Sequence, residues 1–427
     1  MRGSVRAVVI GVILSLSAAC QHRGAAEPAT AVEYVNGYWF DGRGFTSRTY
    51  YAADGELQSS RPVGRTIRTV DLGDGFVVPP FGEAHNHNIE QSERLQRTIC
   101  SYLADGVFYV RNPNSLPRLV PQLMGSGLEG SFAHGGLTGP GGHPIGVVER
   151  NIGRGAWTID DGEGAFYLVV DGPRDLAAKW PALLATGTDF VKVYLLYSEE
   201  YVLRKGNEAY KYWRGLDPVL LPEIVRRSRS AGLDVVAHVE TAADFRAAVS
   251  AGVDEIAHLP GSRPDRDEFA NYGDGSRYRI SDADAALAAA HEIKVTTTVG
   301  ELLALVAEPG FDPAQAQTIR MLHGDNLRTL KRHGVTILLG SDSYGDTSRG
   351  EFEQLSRLDV FTPAELLAIW SSTTPAAIFP DRKIGRLTPG SEASFLVLGA
   401  NPLRDPAAIA DIRMRVKLGR PAGCDTP

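Results

Sequence analysis

Short hydrophobic runs alternate with amphipathic stretches along the middle of the chain. The runs are bounded by Gly, Pro, Asp or Asn, and the segments between them have the apolar periodicity of helices. Buried strands that alternate with helices are typical of parallel βα units, so we predict an α/β fold built around a (β/α)8 TIM barrel. The predicted barrel strands are Val77–His87, Gly106–Val110, Gly130–His134, Phe190–Leu196, Leu233–His238, Glu255–His258, Ile293–Thr298 and Val335–Ser341.

Both ends of the chain show a different pattern, in which short extended runs alternate with turn residues. At the C-terminal end, these runs are Ser394–Leu398 and Met414–Lys417. Alternation of this kind predicts β-strands joined by tight turns. We therefore expect residues 32–79 and 381–421 to form one small β-sandwich domain, and residues 80–380 to form the barrel.

The first twenty residues have the pattern of an export signal. Arg2 lies before an apolar run that is too short to span a bilayer and that ends in small residues before Cys20. The segment 17–20 resembles a bacterial lipobox, which implies a lipoprotein-type signal peptide over residues 1–20 and a tether over residues 21–31. We expect a periplasmic or outer-membrane lipoprotein of a bacterium, anchored only through Cys20. The alternative is an ordinary signal peptide cut near that cysteine.

Composition narrows the class of protein. Of 427 residues, 43% are hydrophobic and 22% are charged, as in an ordinary globular protein rather than a disordered one. The net charge of −7 with no basic block argues against a nucleic-acid partner. Three cysteines (Cys20, Cys100 and Cys424) cannot build a disulfide framework, so we expect the hydrophobic core to hold the fold together. The sequence leaves open whether the chain is a homo-oligomer.

Two features at predicted strands indicate metal chemistry. His85 and His87 are two residues apart at the end of an apolar run, so both imidazoles point to one face of a strand. Lys192 lies in the middle of a buried strand, where low dielectric lowers the pKa of its amine. A neutral amine can react with CO2 to form a carbamate that bridges two cations, although pairing with a carboxylate is the alternative.

Three more polar residues end predicted barrel strands. His238 and His258 each close an apolar run, with one helix between them, and Asp342 follows the eighth run. The C-terminal ends of parallel barrel strands meet at one rim, where such side chains can hold a metal ion. A carboxylate there can ligate the metal, exchange protons or cap a loop.

Taken in order, these six positions resemble the ligand set of the amidohydrolase superfamily in its two-metal, carboxylated-lysine form. Asp71–Pro79 is similar to the segment that leads into the barrel in that family, and Ile384–Leu398 to its return to the β-sandwich. Leu137–Pro144 is similar to the prolidase-like and imidazolonepropionase-like branch. One departure is Glu83, which stands where the family commonly has Asp.

The resemblance implies a cofactor and a mechanism. Two divalent metal ions, with Zn²⁺ expected, would be bridged by a CO2-derived carbamate, and a hydroxide between them would attack a carbonyl carbon. Asp342 would act as the catalytic acid and base. By this resemblance the ligands of one ion are His85, His87 and Asp342, those of the other are His238 and His258, and Lys192 binds both.

The implied activity is that of an exported metal-dependent hydrolase acting on the amide C–N bond of a small molecule. By resemblance the substrate is a dipeptide or an N-acyl amino acid. His143 and Tyr194 are candidate substrate contacts, and Arg111 is a candidate partner for a substrate carboxylate, with a surface arginine as the alternative. The aromatic segment Tyr197–Trp213 is either a lid or a packed loop.

Two other functions remain open at this point. The same ligand set suits a lactonase, an esterase or a hydrolase of cyclic amides. A non-catalytic metal-containing binding lipoprotein is the alternative from another class, but such a protein does not need Asp342 as a proton shuttle.

Overall fold

The computed structural model describes residues 30–90, 94–262 and 272–424. The predicted signal peptide and most of the predicted tether therefore lie outside the described residues. Within the described part of the chain, no helix is long and apolar enough to cross a bilayer.

The centre of the fold is a barrel of parallel strands, as the alternation of strands and helices predicts. Three neighbouring strands form one sheet: β5 (Phe81–Glu83), β6 (Val107–Asn112) and β7 (Glu129–Phe132). The rest of the barrel wall continues in sequence order. It consists of β10 (Val191–Tyr194), β11 (Val235–His238), β12 (Glu255–Ala257), β13 (Lys294–Thr296) and β14 (Thr336–Leu338).

Backbone hydrogen bonds close the two seams between these sheets. At one seam the amide of Ala84 donates to the carbonyl of Leu339 at 2.9 Å, just beyond β5 and β14. At the other seam the amide of Asp189 donates to the carbonyl of Phe132 at 2.8 Å, between β7 and β10. A parallel ribbon of β8 (Gly136–Thr138) and β9 (Tyr167–Val169) adds to the edge of β10. The eight predicted strands are therefore confirmed as the barrel.

The first predicted strand is longer than the observed one. Val77 and Val78 belong to the sheet of the small domain, and the barrel strand begins only at Phe81. Pro79 and Pro80 separate the two strands, because proline cannot donate a hydrogen bond to a ladder.

The small β domain is built from both ends of the chain, as expected. Its central strand β4 (Thr66–Val78) pairs in parallel with β1 (Thr30–Phe40) and antiparallel with β15 (Phe395–Leu398), so a C-terminal strand lies beside N-terminal ones. A separate core of aromatic and aliphatic side chains fills this domain, including Trp39 and Phe395. In sheet order its strands are β17 (Arg420–Pro421), β16 (Ile412–Lys417), β15 (Phe395–Leu398), β4 (Thr66–Val78), β1 (Thr30–Phe40), β2 (Phe45–Ala53) and β3 (Glu56–Gln58).

Helices cover the barrel, and the sequence signals their ends well. The α6 helix begins after Thr241, whose hydroxyl accepts from the amide of Asp244, and ends at Gly252 with a left-handed φ of 72°. The α-helices are α1 (Leu95–Ala104), α2 (Ile145–Gly153), α3 (Pro173–Ala185), α4 (Tyr201–Arg204), α5 (Leu221–Ser230), α6 (Ala242–Ala251), α7 (Asp282–Ala290), α8 (Gly300–Leu305), α9 (Pro313–Arg332), α10 (Ser348–Leu355), α11 (Pro363–Ala368) and α12 (Thr374–Ile378).

One covalent link corrects an expectation from composition. Cys100 on α1 forms a disulfide with Cys424, and 324 positions separate them in the chain. The expectation that the core alone holds the fold together is therefore wrong, because this bridge fastens α1 to the C-terminal segment. The sequence pattern could not show the pair, since pairing depends on where α1 packs in the folded barrel.

Candidate metal centre and substrate cavity

The structure brings all six predicted ligand side chains together at the C-terminal rim of the barrel. Each lies in or just after a different barrel strand, apart from the two histidines that follow β5. Five of the six line one cavity, and the sixth, His85, is buried beneath it with its ring 4.5 Å from that of His258. The five that line the cavity are His87, Lys192, His238, His258 and Asp342.

Asp342 is the meeting point of three imidazoles. Its Oδ1 lies 3.8 Å from Nε2 of His85 and 3.5 Å from Nε2 of His87, while its Oδ2 lies 3.8 Å from Nδ1 of His258. Ligand atoms placed about 2.1 Å from a tetrahedral ion are separated by about 3.4 Å. The ligand atoms of His85, His87 and Asp342 lie within 4.8 Å of one another, so this trio can hold a divalent metal ion.

His238 and Lys192 lie on the other side of the cluster. The His238 ring is 4.5 Å from that of His258. The Lys192 amine is fully buried and has no hydrogen-bond partner among the described residues. Burial lowers the pKa of Lys192 to about 7, against the opposing charges of Asp342 and Glu255. With this pKa, a large fraction of the amine is neutral and nucleophilic near neutral pH.

Two hydrogen bonds to carboxylates orient imidazoles of the cluster. His87 Nδ1 is 2.5 Å from Glu90 Oε1, and His238 Nε2 is 2.9 Å from Glu240 Oε1. A hydrogen bond from one ring nitrogen to a carboxylate is the usual way in which a metal-binding histidine is oriented. Burial raises the pKa of Glu90 while His87 opposes the shift. Sequence reasoning missed both carboxylates, although each follows its histidine by two or three positions.

The loops that carry the ligands have an unusual backbone. His258, Thr298 and Asp342 follow three neighbouring strands and adopt φ of 77°, 51° and 50°. Residues other than glycine rarely take these values, and such strain concentrates at functional sites. The hydroxyl of Thr298 lies 2.7 Å from Nδ1 of His258. The strained backbone thus turns a threonine toward a predicted ligand, and no sequence signal marked it.

Gly340 permits the close approach of two ligand segments. A Cβ at this position would lie 2.7 Å from the backbone nitrogen of His85 and 2.7 Å from Cγ2 of Thr296. Only glycine therefore lets the end of β14 pack against the segment that carries the first two histidines.

Glu83 supports the same contact from the other side. Its carboxylate accepts from the amide of Ser341 at 2.8 Å and from the hydroxyl of Ser341 at 2.9 Å. Burial raises the pKa of Glu83 to about 8, and these hydrogen bonds oppose the shift. The longer side chain thus ties β5 to β14, next to the ligands on both strands.

Two of the three predicted substrate contacts lie in the cavity. The His143 ring is 5.2 Å from that of Tyr194 and 5.0 Å from that of His238. The Tyr194 hydroxyl accepts from Nδ2 of Asn114 at 2.8 Å. Both side chains border the space above the candidate metal centre.

Arg111 is placed elsewhere, which corrects the prediction for it. It is buried and forms an ion pair with Glu255 inside the barrel, and its Nη2 donates to the carbonyl of Ala377 at 3.0 Å. Arg111 is therefore neither a cavity residue nor a surface arginine. A strand-end position alone did not reveal that the side chain of Arg111 faces a buried carboxylate of β12.

The cavity itself is large enough for a small organic molecule, at about 900 Å³. Aromatic residues of the segment after Lys192 border one side, since Tyr212 and Trp213 line the cavity. Tyr344 borders the mouth, with 61% of its surface exposed. The aromatic segment is thus part of the cavity wall.

The other described histidines have structural surroundings. His134 is buried and contacts the carbonyl of Ser115 at 2.7 Å through Nδ1. His333 ends α9 and contacts Asp282 at 2.7 Å. His291 and His323 also lie outside the cavity lining, on the helical layer.

Comparison with known proteins gives one family and one fold. Residues 192–421 match the model of a family described as the Amidohydrolase family. No curated protein sequence matches the chain.

Solved structures share the whole architecture. Ochratoxinase of A. niger has a TM-score of 0.71 at 18% identity, covering 93% of this chain and 96% of that one. A prolidase complexed with N-methylphosphonate-L-proline has a TM-score of 0.69 at 19% identity, covering 92% of this chain and 100% of that one. A Xaa-Pro dipeptidase with methionine in its active site has a TM-score of 0.66 at 18% identity, covering 91% and 98%. At these identities the likeness shows the fold.

Proposed function

Because the chain belongs to the amidohydrolase family, we propose that it is an exported hydrolase that cleaves the amide C–N bond of a dipeptide or an N-acyl amino acid. The observation that carries this proposal is the cluster at the rim of the barrel. Four imidazoles, one carboxylate and one buried amine converge there from strands that are distant in sequence. Such a set has little structural use without a ligand.

The residues fit two divalent ions, with zinc as the expected metal. His85, His87 and Asp342 suit one ion by their spacing. His238 and His258 suit a second, since each has one ring nitrogen already engaged by Glu240 or Thr298. In this proposal the ions supply Lewis acidity toward a carbonyl oxygen and lower the pKa of water to near neutrality.

Lys192 has the properties of a residue that becomes carboxylated. Its amine attacks CO2, a C–N bond forms, and one proton leaves to solvent. The product would carry one negative charge shared by two oxygens, which would offset part of the positive charge of the two ions. The depressed pKa of Lys192 and the absence of a hydrogen-bond partner among the described residues both favour this reaction over a simple ion pair.

Asp342 is the proposed acid and base. Its carboxylate borders the cavity and is within 4 Å of three imidazoles, so a water molecule bound at this cluster would be within its reach. It takes one proton as the water oxygen bonds to the carbonyl carbon. It then returns that proton to the nitrogen as the C–N bond breaks, which releases a carboxylic acid and an amine.

The proposed substrate class is supported by the similar solved structures and by the size and lining of the cavity. Similar proteins include a prolidase and a Xaa-Pro dipeptidase. The cavity has space for a molecule of that size and a wall of aromatic side chains.

Export is supported by the start of the sequence and by one cross-link. The apolar run before Cys20 has the length of a signal peptide. The Cys100–Cys424 disulfide suits an oxidising compartment such as the periplasm.

Metal content and turnover test this proposal together. The mature protein, expressed with added zinc and bicarbonate, should contain close to two equivalents of metal and hydrolyse members of a panel of dipeptides and N-acyl amino acids. Asp342→Asn should keep at least one metal equivalent and lose most of kcat, because the proton shuttle is removed while four imidazoles remain. A metal-free folded protein, or full activity in the Asn variant, would overturn the mechanism.

A further inference from the structure

Two helices turn arginines toward the mouth of the cavity. The residues of α1 and its N-terminal flank that line the cavity are three, four, seven and eight positions apart, which is one face of a helix. Arg94 and Arg97 are the charged members of this face. The remaining members of the α1 face are Thr98, Ser101 and Tyr102.

The second helix repeats the pattern. On α2 and its C-terminal flank, the cavity-lining residues Val147, Arg150, Asn151 and Arg154 have the same spacing. Both arginines of this face are exposed. We call the two faces together the arginine mouth, defined by Arg94, Arg97, Arg150 and Arg154.

These four guanidinium groups have no ion-pair partner within the described part of the chain. Among residues 30–90, 94–262 and 272–424, no ion pair and no hydrogen bond from their guanidinium groups is found. The buried carboxylates nearest the cavity are used by histidines, since Glu90 contacts His87 and Glu240 contacts His238. Asp342 and the exposed Asp346 are the other acidic residues that line the cavity.

The arrangement is unfavourable for the protein alone. Like charges three or four positions apart on a helix repel each other, and both helices carry such a pair. Arg94 and Arg97 also lie at the positive N-terminal end of α1, which has no acidic residue in its first turn. A bound anion would relieve both repulsions. The concentration of positive charge also contrasts with the net charge of −7 for the whole chain.

We propose that the arginine mouth binds a second anionic group of the substrate, so that the preferred substrate is an amide whose amino-acid part carries two carboxylates. This inference rests on the proposed amide hydrolysis at the same cavity. The guanidinium group of one arginine can bind one carboxylate through two parallel hydrogen bonds. Two helix faces with two arginines each therefore offer more guanidinium groups than a single α-carboxylate needs, and a second carboxylate can use the rest. The aromatic side formed by Tyr212 and Trp213 would accommodate an aromatic acyl group.

A matched pair of ligands isolates the second charge. N-benzoyl-L-glutamate and N-benzoyl-L-glutamine have nearly the same size and differ by one carboxylate. Their dissociation constants are measured by calorimetry on the metal-loaded Asp342→Asn protein, which removes turnover, and kcat/KM is measured on the wild-type holoenzyme. We expect the glutamate compound to bind about tenfold more tightly in low salt, with the preference shrinking in 0.5 M NaCl (a screening length of about 4 Å).

The arginines are then tested with a charge-matched control. Arg97→Gln and Arg150→Gln, introduced into the same protein, should each weaken binding of the glutamate compound about threefold, and together they should remove the preference. Arg386→Gln makes the same charge change at an exposed position outside the cavity and should leave the preference intact. Equal binding of the two ligands by the parent protein, or a preference that survives the double variant, would overturn the proposal.

The two proposals fail in different ways. If neither benzoyl compound is hydrolysed but the calorimetric preference is present and depends on the arginines, the substrate bond is wrong and the anion site stands. If amides are hydrolysed without any preference for the second carboxylate, the proposed function stands and the arginine mouth has no part in substrate binding.

Discussion

Replacing His323 should make the protein less sensitive to acid. This histidine lies on α9, is completely buried and is separate from the candidate metal centre. Burial lowers its pKa from 6.5 to about 4, while the backbone carbonyl of Gly261 opposes part of the shift. The folded protein therefore binds a proton at this site less readily than the unfolded chain does.

The sign and size of the effect follow from that difference. A group whose folded pKa is depressed contributes stability that is fully present above its unfolded pKa of 6.5 and is lost as the pH falls toward its folded pKa of about 4. The full shift corresponds to about 3 kcal/mol, and the loss between pH 8 and pH 5 to about 2 kcal/mol. Below the folded pKa the loss is complete, because both states are then protonated.

Urea unfolding of the holoenzyme at pH 8 and pH 5, followed by tryptophan fluorescence, measures this loss. His323→Gln and His323→Phe both remove the titrating ring but differ in size and polarity. Altered packing should therefore change the free energy of unfolding of each variant by a different amount, and that amount should be the same at both pH values. Each should lose about 2 kcal/mol less free energy of unfolding than the wild type between the two pH values. If both variants lose as much as the wild type, burial of His323 does not limit stability in acid.

Two further substitutions test how the site is supported. Removing the disulfide with Cys100→Ser and Cys424→Ser should lower the free energy of unfolding by about 2–5 kcal/mol, because the bridge closes a long loop in the unfolded chain; two free thiols in the wild-type mature protein would contradict the bridge. Glu240→Gln should weaken metal binding by about 10–100-fold in a chelator competition, because the hydrogen bond that orients the His238 ring loses its charge; unchanged affinity would show that the ring is fixed by packing alone.

The barrel and the convergence of the six predicted ligands at its rim could be predicted because both depend on local patterns. Each barrel strand is a short apolar run, and each predicted ligand stands at or near the end of one. Parallel strands in a closed barrel bring those ends to one rim regardless of their distance in sequence. His85 and Asp342 are far apart in the chain yet have ligand atoms 3.8 Å apart.

Features that depend on packing between elements could not be predicted. Arg111 is also near a strand end, but its side chain points to Glu255 in the barrel interior. The Cys100–Cys424 bridge depends on where α1 meets the C-terminal segment. The contact of Thr298 with His258 requires a left-handed backbone conformation at Thr298. The sequence could not predict this conformation, because threonine rarely adopts it.

The proposed chemistry and the proposed anion recognition lie on two kinds of element. The predicted metal ligands lie at the ends of strands whose register is fixed by neighbours on both sides, so their geometry is resistant to change. The arginine mouth lies on α1 and α2, outside that hydrogen-bonded wall, and α1 is fastened by the disulfide to the C-terminal segment. Substitutions on these two helix faces can therefore alter which anion is preferred without moving a ligand. It follows that loss of the disulfide should change KM for a dianionic amide more than it changes metal content. The bridge fastens α1, which lines the cavity, and not the strands that carry the predicted ligands.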